Sequence, residues 1–417
     1  MPNPLKKFLA RLGPGFITGA ADDDPSGIAT YTQVGAQYGF GQLWTVAFNW
    51  PLMIAVQEMM GRIGMVTGQG LNAVLRRRYP KPLLWTVVLI VFIANSINIG
   101  SNLGAMADST RLLFPTLPFA ALLIGFTAFI LILEIFVSYN TYAKILKWLT
   151  LSLFSYVATA FIVTTDWGAV LQGALIPHIS FDKGFIMAIV AVLGTTISPY
   201  LFIWQADEEV EEEIAMGRTT VAKRRGATAS EISDMRRDTF IGMSFSQIIT
   251  FFIMVTAAGT FFRHGLYDIQ TTAQAASALE PLAGRFASHI FALGIIGTGL
   301  LAVPVLSASA SYALSEALRW KNGLYKQLHE AHGFYGAITI ATLIGLLINF
   351  VGINPIKALY LTAVLNGIVT PPLIAIILLV ANDKRTMGRW TNGRWSNIFG
   401  GAALIATTAA VALLFAL

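Results

Sequence analysis

Stretches of about 20 mainly apolar residues, the length a helix needs to cross the hydrocarbon of a bilayer, recur along almost the whole of this sequence. No other feature restricts the fold as strongly. A backbone in lipid has to satisfy its own hydrogen bonds, which leaves only helices and closed barrels, and these runs are too long for barrel strands. The chain therefore reads as an all-α integral membrane protein. Eleven spans are expected, at roughly 13–36, 41–63, 83–109, 118–138, 142–165, 185–213, 239–263, 285–318, 334–352, 354–380 and 397–416. Two of them are long enough to tilt or to run past the bilayer. No segment between spans can bury a core of its own, so residues 1–417 are expected to form one transmembrane domain.

Charge orients the bundle. Of 417 residues, 55% are hydrophobic and only 12% charged, with a net charge of +6. In a soluble protein such a balance raises the question of nucleic acid, but the placement of the basic residues speaks for topology instead. Lys6, Lys7 and Arg11 precede the first span, Arg76, Arg77, Arg78 and Lys81 follow the second, and Arg218, Lys223, Arg224, Arg225, Arg236 and Arg237 follow the sixth. With ten more at other span ends, 23 of the 28 basic residues share one side, and only Arg111, Lys183, Arg263, Arg285 and Lys357 fall on the other. That asymmetry predicts a multi-pass protein of the cell membrane, plasma or bacterial inner, with a cytoplasmic N-terminus and an external C-terminus. The lipid bilayer is its expected partner, and nucleic acid is not. The absence of cysteine excludes disulfides and thiolate metal ligands. The first apolar stretch does not read as a cleavable signal peptide, because three aspartates and a proline sit in its middle.

Two spans are interrupted midway, at corresponding places in two five-span halves. The first reads Gly19-Ala20-Ala21-Asp22-Asp23-Asp24-Pro25-Ser26-Gly27, and the sixth reads Gly194-Thr195-Thr196-Ile197-Ser198-Pro199-Tyr200. Proline removes a backbone donor and glycine loosens the helix, so both segments can unwind and free carbonyls and helix ends. Such groups are tolerated at membrane depth only when they face protein or a wet cavity, and a matched pair of broken helices points to a midplane binding site. An ionised carboxylate at that depth costs several kcal/mol unless paired. No Lys or Arg is expected at the depth of Asp22, Asp23 and Asp24, so a bound cation is the natural counter-charge. Three successive helical residues cannot share a face; Asp24, directly before the break, is favoured, with Asp22 and Asp23 lining an outer approach.

Asp24-Pro25-Ser26-Gly27-Ile28-Ala29-Thr30 resembles the Asp-Pro-Gly-Asn-Ile-Ala-Thr signature in the first helix of the NRAMP family of divalent metal transporters, and Gln57 with Gly61-Arg62-Ile63-Gly64-Met65-Val66-Thr67-Gly68 resembles the end of that family's second helix. The resemblance implies a LeuT-type fold: two inverted five-helix repeats, about 13–165 and 185–380, plus an eleventh transmembrane helix at about 397–416. It also implies alternating access to a metal site between helices one and six. The departures matter as well. Gly27 stands where the family has a metal-binding Asn. Either Ile197 or Ser198, depending on alignment, stands where it has a metal-binding Met. The candidate metal-contacting set is Asp24, Ser26, Gly27 and Ala21 at the first break, Ile197 and Ser198 at the second, and Asn366 in span ten.

Oxygen donors without sulfur suit Mg²⁺, Ca²⁺ and Mn²⁺, and Mg²⁺ keeps several waters while one or two carboxylates hold it. The residues reach as far as a hard divalent cation. Resemblance of Asp-Pro-Ser-Gly and Thr-Thr-Ile-Ser-Pro-Tyr to the NRAMP-related magnesium transporter branch implies Mg²⁺, with Mn²⁺ also accepted, as transported substrate; no cofactor is implied. Trp204 occupies the place of the family's sixth-helix His, and His178, His264, His289, His329 and His332 all fall in loops or at span ends. Asn95, Asn98 and Asn102 line one face of span three where relatives carry acids, and amides release no proton. Transport without proton coupling follows as an expectation. The alternatives are a proton-coupled Mn²⁺/Fe²⁺ transporter and an organic-solute transporter of the same fold. No nucleophile–base set marks an enzyme.

The remaining polar residues have structural readings. Glu58 and Arg62 are spaced for an ion pair, and Glu134 is expected to be tethered by Lys144. The 207–213 acidic run reads as a water-exposed end of span six, and Ala215–Asp238 as a solvated connector. Gly294, Gly297 and Gly299 read as close helix packing.

Overall fold

The computed structural model describes residues 13–137, 152–164 and 166–417, and among these every regular element is helical, with no strand. Apolar length translates into helix span by span. Span one is divided into Pro14–Asp22 and Pro25–Tyr38. Span two is Leu43–Thr67, span three Lys81–Leu113 and span four Phe119–Phe136. Span six is divided into Lys183–Thr196 and Pro199–Ala215. Span seven is Ala229–Thr260, span eight Ala287–Leu318, span nine His332–Ile348, span ten Pro355–Asn382 and span eleven Arg394–Ala416. Of span five, Phe154–Val163 is described. The earlier part of the expected 142–165 span, with Lys144 and Lys147, lies outside the described residues, as do Lys6, Lys7 and Arg11. Among the described residues, eight helices are long and apolar enough to cross a membrane by themselves.

The connections gather at two ends, as alternating spans require. At one end Trp390 Nε1 donates to the Ala227 carbonyl at 3.2 Å and Arg78 reaches the Arg385 carbonyl at 3.5 Å; this is the basic face. At the other, Asn354 Nδ2 donates to Gln270 O at 3.0 Å and Gln33 Nε2 to Tyr267 O at 3.1 Å. Burial sorts centre from rim. In span six 89% of the most apolar stretch is buried by protein and in span eight 83%, against 22% in span four and 28% in span eleven. Spans six and eight are therefore the interior, while Ile124, Phe129 and Ile132 of span four and Ile405 of span eleven are exposed as lipid-facing residues would be.

Small residues let the broken spans sit against their neighbours at backbone contact. A Cβ on Gly19 would strike the Gly242 carbonyl of span seven, and one on Gly194 would strike Ala363 O and Gly367 N of span ten. Gly299 likewise lies against Met106 and Pro25. The first half of span one thus rests on span seven, and the first half of span six on span ten.

Three expectations need correction. Span seven begins at Ala229, about ten residues earlier than its apolar run, because Thr228 and Glu231 form a capping box that starts a helix inside the supposed connector. The acidic run does extend span six, yet Asp207, Glu208, Glu209 and Glu213 are 2–6% exposed rather than bathed in water. Spans two and eight and the turn after span eight cover it. Glu134 meets Ser307 of span eight, so its described partner is a hydroxyl on a neighbouring span.

Candidate functional site

The local sequence explains the first break. Pro25 is the first residue of its half-helix, where the missing amide costs nothing, and Asp24 is the N-cap in extended conformation (φ −69°, ψ 169°). Asp24 Oδ1 accepts from the Gly27 amide at 2.8 Å and the Ser26 hydroxyl at 2.6 Å, and Oδ2 accepts from Asn102 Nδ2 at 3.0 Å. An ionised carboxylate has about four acceptor sites, so these three contacts leave one. The cap also places the charge at the positive end of the Pro25–Tyr38 helix. Asp22 Oδ2 accepts from the Ser246 hydroxyl of span seven at 2.5 Å, which leaves the 3.3 Å approach of that hydroxyl to Asp23 Oδ1 without its proton. Asp22 Oδ1 and Asp23 Oδ2 have no hydrogen-bond partner; both residues are at most 1% exposed, so in place of the expected outer approach they are packed against span seven.

The second break has a different construction. The Lys183–Thr196 helix ends at Ile197 (φ −112°, ψ 62°), and Pro199 starts the next half-helix behind Ser198. Ser198 does not cap it: its hydroxyl turns back to Gly194 O at 2.8 Å and Thr195 O at 2.5 Å. The Ile197 carbonyl accepts from Thr370 Oγ1 of span ten at 3.1 Å. Tyr200 joins the two breaks, its hydroxyl donating to the Ala21 carbonyl at 2.9 Å while its own carbonyl accepts from Ser309 at 2.9 Å.

The candidate residues are all buried, and the printed contacts join Ala21 to the sixth span through Tyr200 and Ile197 to span ten through Thr370. Asp24, Ala21, Ser26, Ile197, Ser198 and Asn366 are all at most 2% exposed. Asn366 lies one turn before Thr370, and its Nδ2 is unpartnered. Gly27 contributes its amide to the cap rather than a free group. The Ala21 and Ile197 carbonyls each hold one hydroxyl and retain a second lone pair. Sequence reasoning missed Asn102 as a partner of Asp24, although the Asn95-Asn98-Asn102 face was visible; Asn98 Oδ1 accepts from Asn102 Nδ2 at 3.3 Å. It also missed Tyr200 and Ser246, whose contacts lie more than 170 residues away in sequence.

Electrostatically the centre is anionic and lined mainly by oxygen. No Lys, Arg or His forms an ion pair with Asp22, Asp23 or Asp24 among the described residues. Nor do three His, Cys, Asp or Glu side chains converge as a metal cluster among them. A cation here would be held by one carboxylate supplemented with carbonyls, amide oxygens and retained water. The C-terminal ends of Pro14–Asp22 and Lys183–Thr196 add partial negative charge from their carbonyls.

Known proteins share the fold. A divalent metal cation transporter, MntH, of Pectobacterium carotovorum subsp. carotovorum is 25% identical over 401 residues, 95% of this chain and 91% of the relative. The solved manganese transporter of Eremococcus coleocola superposes with a TM-score of 0.78 at 16% identity, covering 99% of this chain and 87% of that one. Mhp1 in its inward-facing conformation superposes at 0.55 with 14% identity, covering 97% and 90%. These likenesses place the bundle in the LeuT-type fold, two inverted five-helix repeats with an eleventh helix added. Residues 15–417 match the Nramp description, "Natural resistance-associated macrophage protein-like", and with nearly the whole chain matched, this protein belongs to the Nramp family.

Proposed function

We propose that the chain moves hard divalent metal cations, Mg²⁺ and also Mn²⁺, across the membrane by alternating access between its broken spans. The ion sits at Asp24, with the Ala21 and Ile197 carbonyls, Ser26, Ser198, Gly27 and Asn366 around it and water completing its shell. One observation carries the reading: Asp22, Asp23 and Asp24 at the first break are all buried, and among the described residues none of them forms an ion pair with a basic side chain. Buried charge that persists is paired or coordinates a metal. The printed names of the relatives, divalent metal cation and manganese transporters, point the same way. The basic face is then cytoplasmic, with the C-terminus outside, and the repeats run over about 13–165 and 185–380. Transport proceeds without proton coupling. His178, His264, His289, His329 and His332 lie away from the breaks, and span three offers amides. The driving force is the ion's gradient with the membrane potential, about 2.3 kcal/mol per charge per 100 mV.

The relatives' printed names favour a second reading, a proton-coupled Mn²⁺ transporter of their kind. Liposome flux of Mg²⁺, Mn²⁺ and Ca²⁺ with an interior pH probe, repeated for Asp24→Ala, separates the two. Millimolar Mg²⁺ competing with Mn²⁺ at constant interior pH supports the first. Mn²⁺ entry that ignores Mg²⁺ and acidifies the interior in fixed proportion establishes the second.

A further inference from the structure

The acidic run at the foot of span six is not absorbed by the centre at Asp24. A cavity of about 250 Å³ opens at the basic face between spans six and eight, the helix Leu71–Arg78 and the turn after span eight. Asp207 and Glu316 stand in its wall, 3% and 6% exposed. Their carboxylates face one spot: a Cβ on Gly70 would meet Asp207 Oδ1 and lie 2.7 Å from both Glu316 oxygens. Both carboxylates pack directly against the Gly70 Cα, where any side chain would clash, and this brings them close to one another at the wall of the cavity.

The partners of these groups are unequal. Glu316 accepts from the Gly70 and Ala73 amides at 3.0 Å each, and Arg76 acts on it through space. Glu211, the third acid of the wall, accepts from Tyr312 OH and from the Leu324 and Tyr325 amides at 2.8 and 3.3 Å. Arg224 is committed to the Gly68 and Arg218 carbonyls at 3.1 Å each. Asp207 is the exception, because its buried Oδ2 has no partner. Neither Asp207 nor Glu316 forms an ion pair among the described residues.

Two carboxylates pressed together away from bulk water need positive charge between them. Oxygen donors beside a cavity with room for water suit a hard dication, which keeps several waters while one or two carboxylates hold it. We propose that Asp207 and Glu316 form a second divalent-cation site, separate from Asp24. The ion bridges span six to span eight beside Gly70 and so ties the inner half of span six to its neighbour. Asp24 belongs to span one, whose Ala21 carbonyl is met by Tyr200 near the start of this half-helix, about two turns before Asp207, so the two carboxylate sites are distinct.

Equilibrium dialysis of the purified full-length chain against millimolar Mn²⁺ tests it. The expected stoichiometry is two ions per chain, falling to one in Asp207→Asn, one in Asp24→Asn and none in the double variant. Gly70→Ala, whose methyl would push both carboxylates off their present positions, should also bind one, and it decides the matter should Asp207→Asn elute as aggregate. Wild-type stoichiometry in both Asp207→Asn and Gly70→Ala overturns the site and leaves a shared proton as the bridge. Two ions in Asp24→Asn with one in Asp207→Asn supports the site while removing Asp24 as the transport ligand.

Discussion

Replacing Asp24 by Asn separates its two duties, capping a helix and countering a cation. Asn is as good an N-cap as Asp, so the bonds from the Gly27 amide and the Ser26 hydroxyl survive on Oδ1. The new amide nitrogen would oppose Asn102 Nδ2, but Asn102 Oδ1 is unpartnered, and a flip of Asn102 presents it as acceptor. The flip sacrifices only the 3.3 Å bond to Asn98. The fold should therefore tolerate Asp24→Asn, and removal of a buried, uncompensated charge favours the metal-free protein. Ion binding should not tolerate it. Taking one partner from a buried charge pair costs about 3–5 kcal/mol, and about 1.4 kcal/mol is tenfold, so affinity should fall roughly 10²- to 10³·⁵-fold. Asp24→Ala differs: it loses the cap at about 1 kcal/mol and leaves Asn102 Nδ2 short of its acceptor at about 1–3 kcal/mol. Melting in metal-free detergent alongside Mn²⁺ uptake into liposomes reads both. The expected pattern is an unchanged or higher Tm without uptake for Asp24→Asn, and a lower Tm without uptake for Asp24→Ala. Wild-type uptake in Asp24→Asn, or equal destabilisation of the two, would refute the reasoning.

Three further outcomes are expected. Arg62 is 1% exposed and donates to both Glu58 oxygens at 2.9 and 3.1 Å, to Asn392 Oδ1 at 2.6 Å and to Trp390 O; Arg62→Ala should lower stability by about 3–5 kcal/mol and Arg62→Lys should rescue it only partly, for want of the planar fork, as measured by melting. Asp238 of span seven accepts from the amides of Gly13, Gly15 and Phe16 at 2.9, 2.7 and 3.4 Å, so Asp238→Ala should free the start of span one. In this cysteine-free chain, thiol labelling of Ala20→Cys from the basic face should then speed up, and an unchanged rate would show that glycine packing alone holds that half-helix. Met106→Leu should leave Mg²⁺ flux intact; a selective loss of Mn²⁺ flux would instead place its sulfur on the ion.

Much of this was legible in local sequence. Apolar length sets the spans because lipid leaves a backbone few options, and Asp24-Pro25 writes its own cap and break. Glu58 and Arg62 pair as their i, i+4 spacing predicts, although Arg236 also donates to Glu58 at 2.9 Å, from a distant segment. What stayed hidden depends on distance along the chain. Nothing near Tyr200 tells that its hydroxyl crosses to Ala21, and the amide face of span three gave no sign of which span it would meet. The acidic run misled because a row of like charges ordinarily faces water; here folding tucks Asp207 against Glu316, 109 residues later in the chain. The start of span seven was readable after all, in Thr228 and Glu231, but an apolar-run criterion passes over a polar capping box.

The location of the ion is the most direct test. Crystals grown in saturating Mn²⁺ should give an anomalous scattering peak at the Asp24 carboxylate, facing the Ile197 end of the broken sixth span. Full occupancy elsewhere with nothing beside Asp24 would contradict the assignment of the centre.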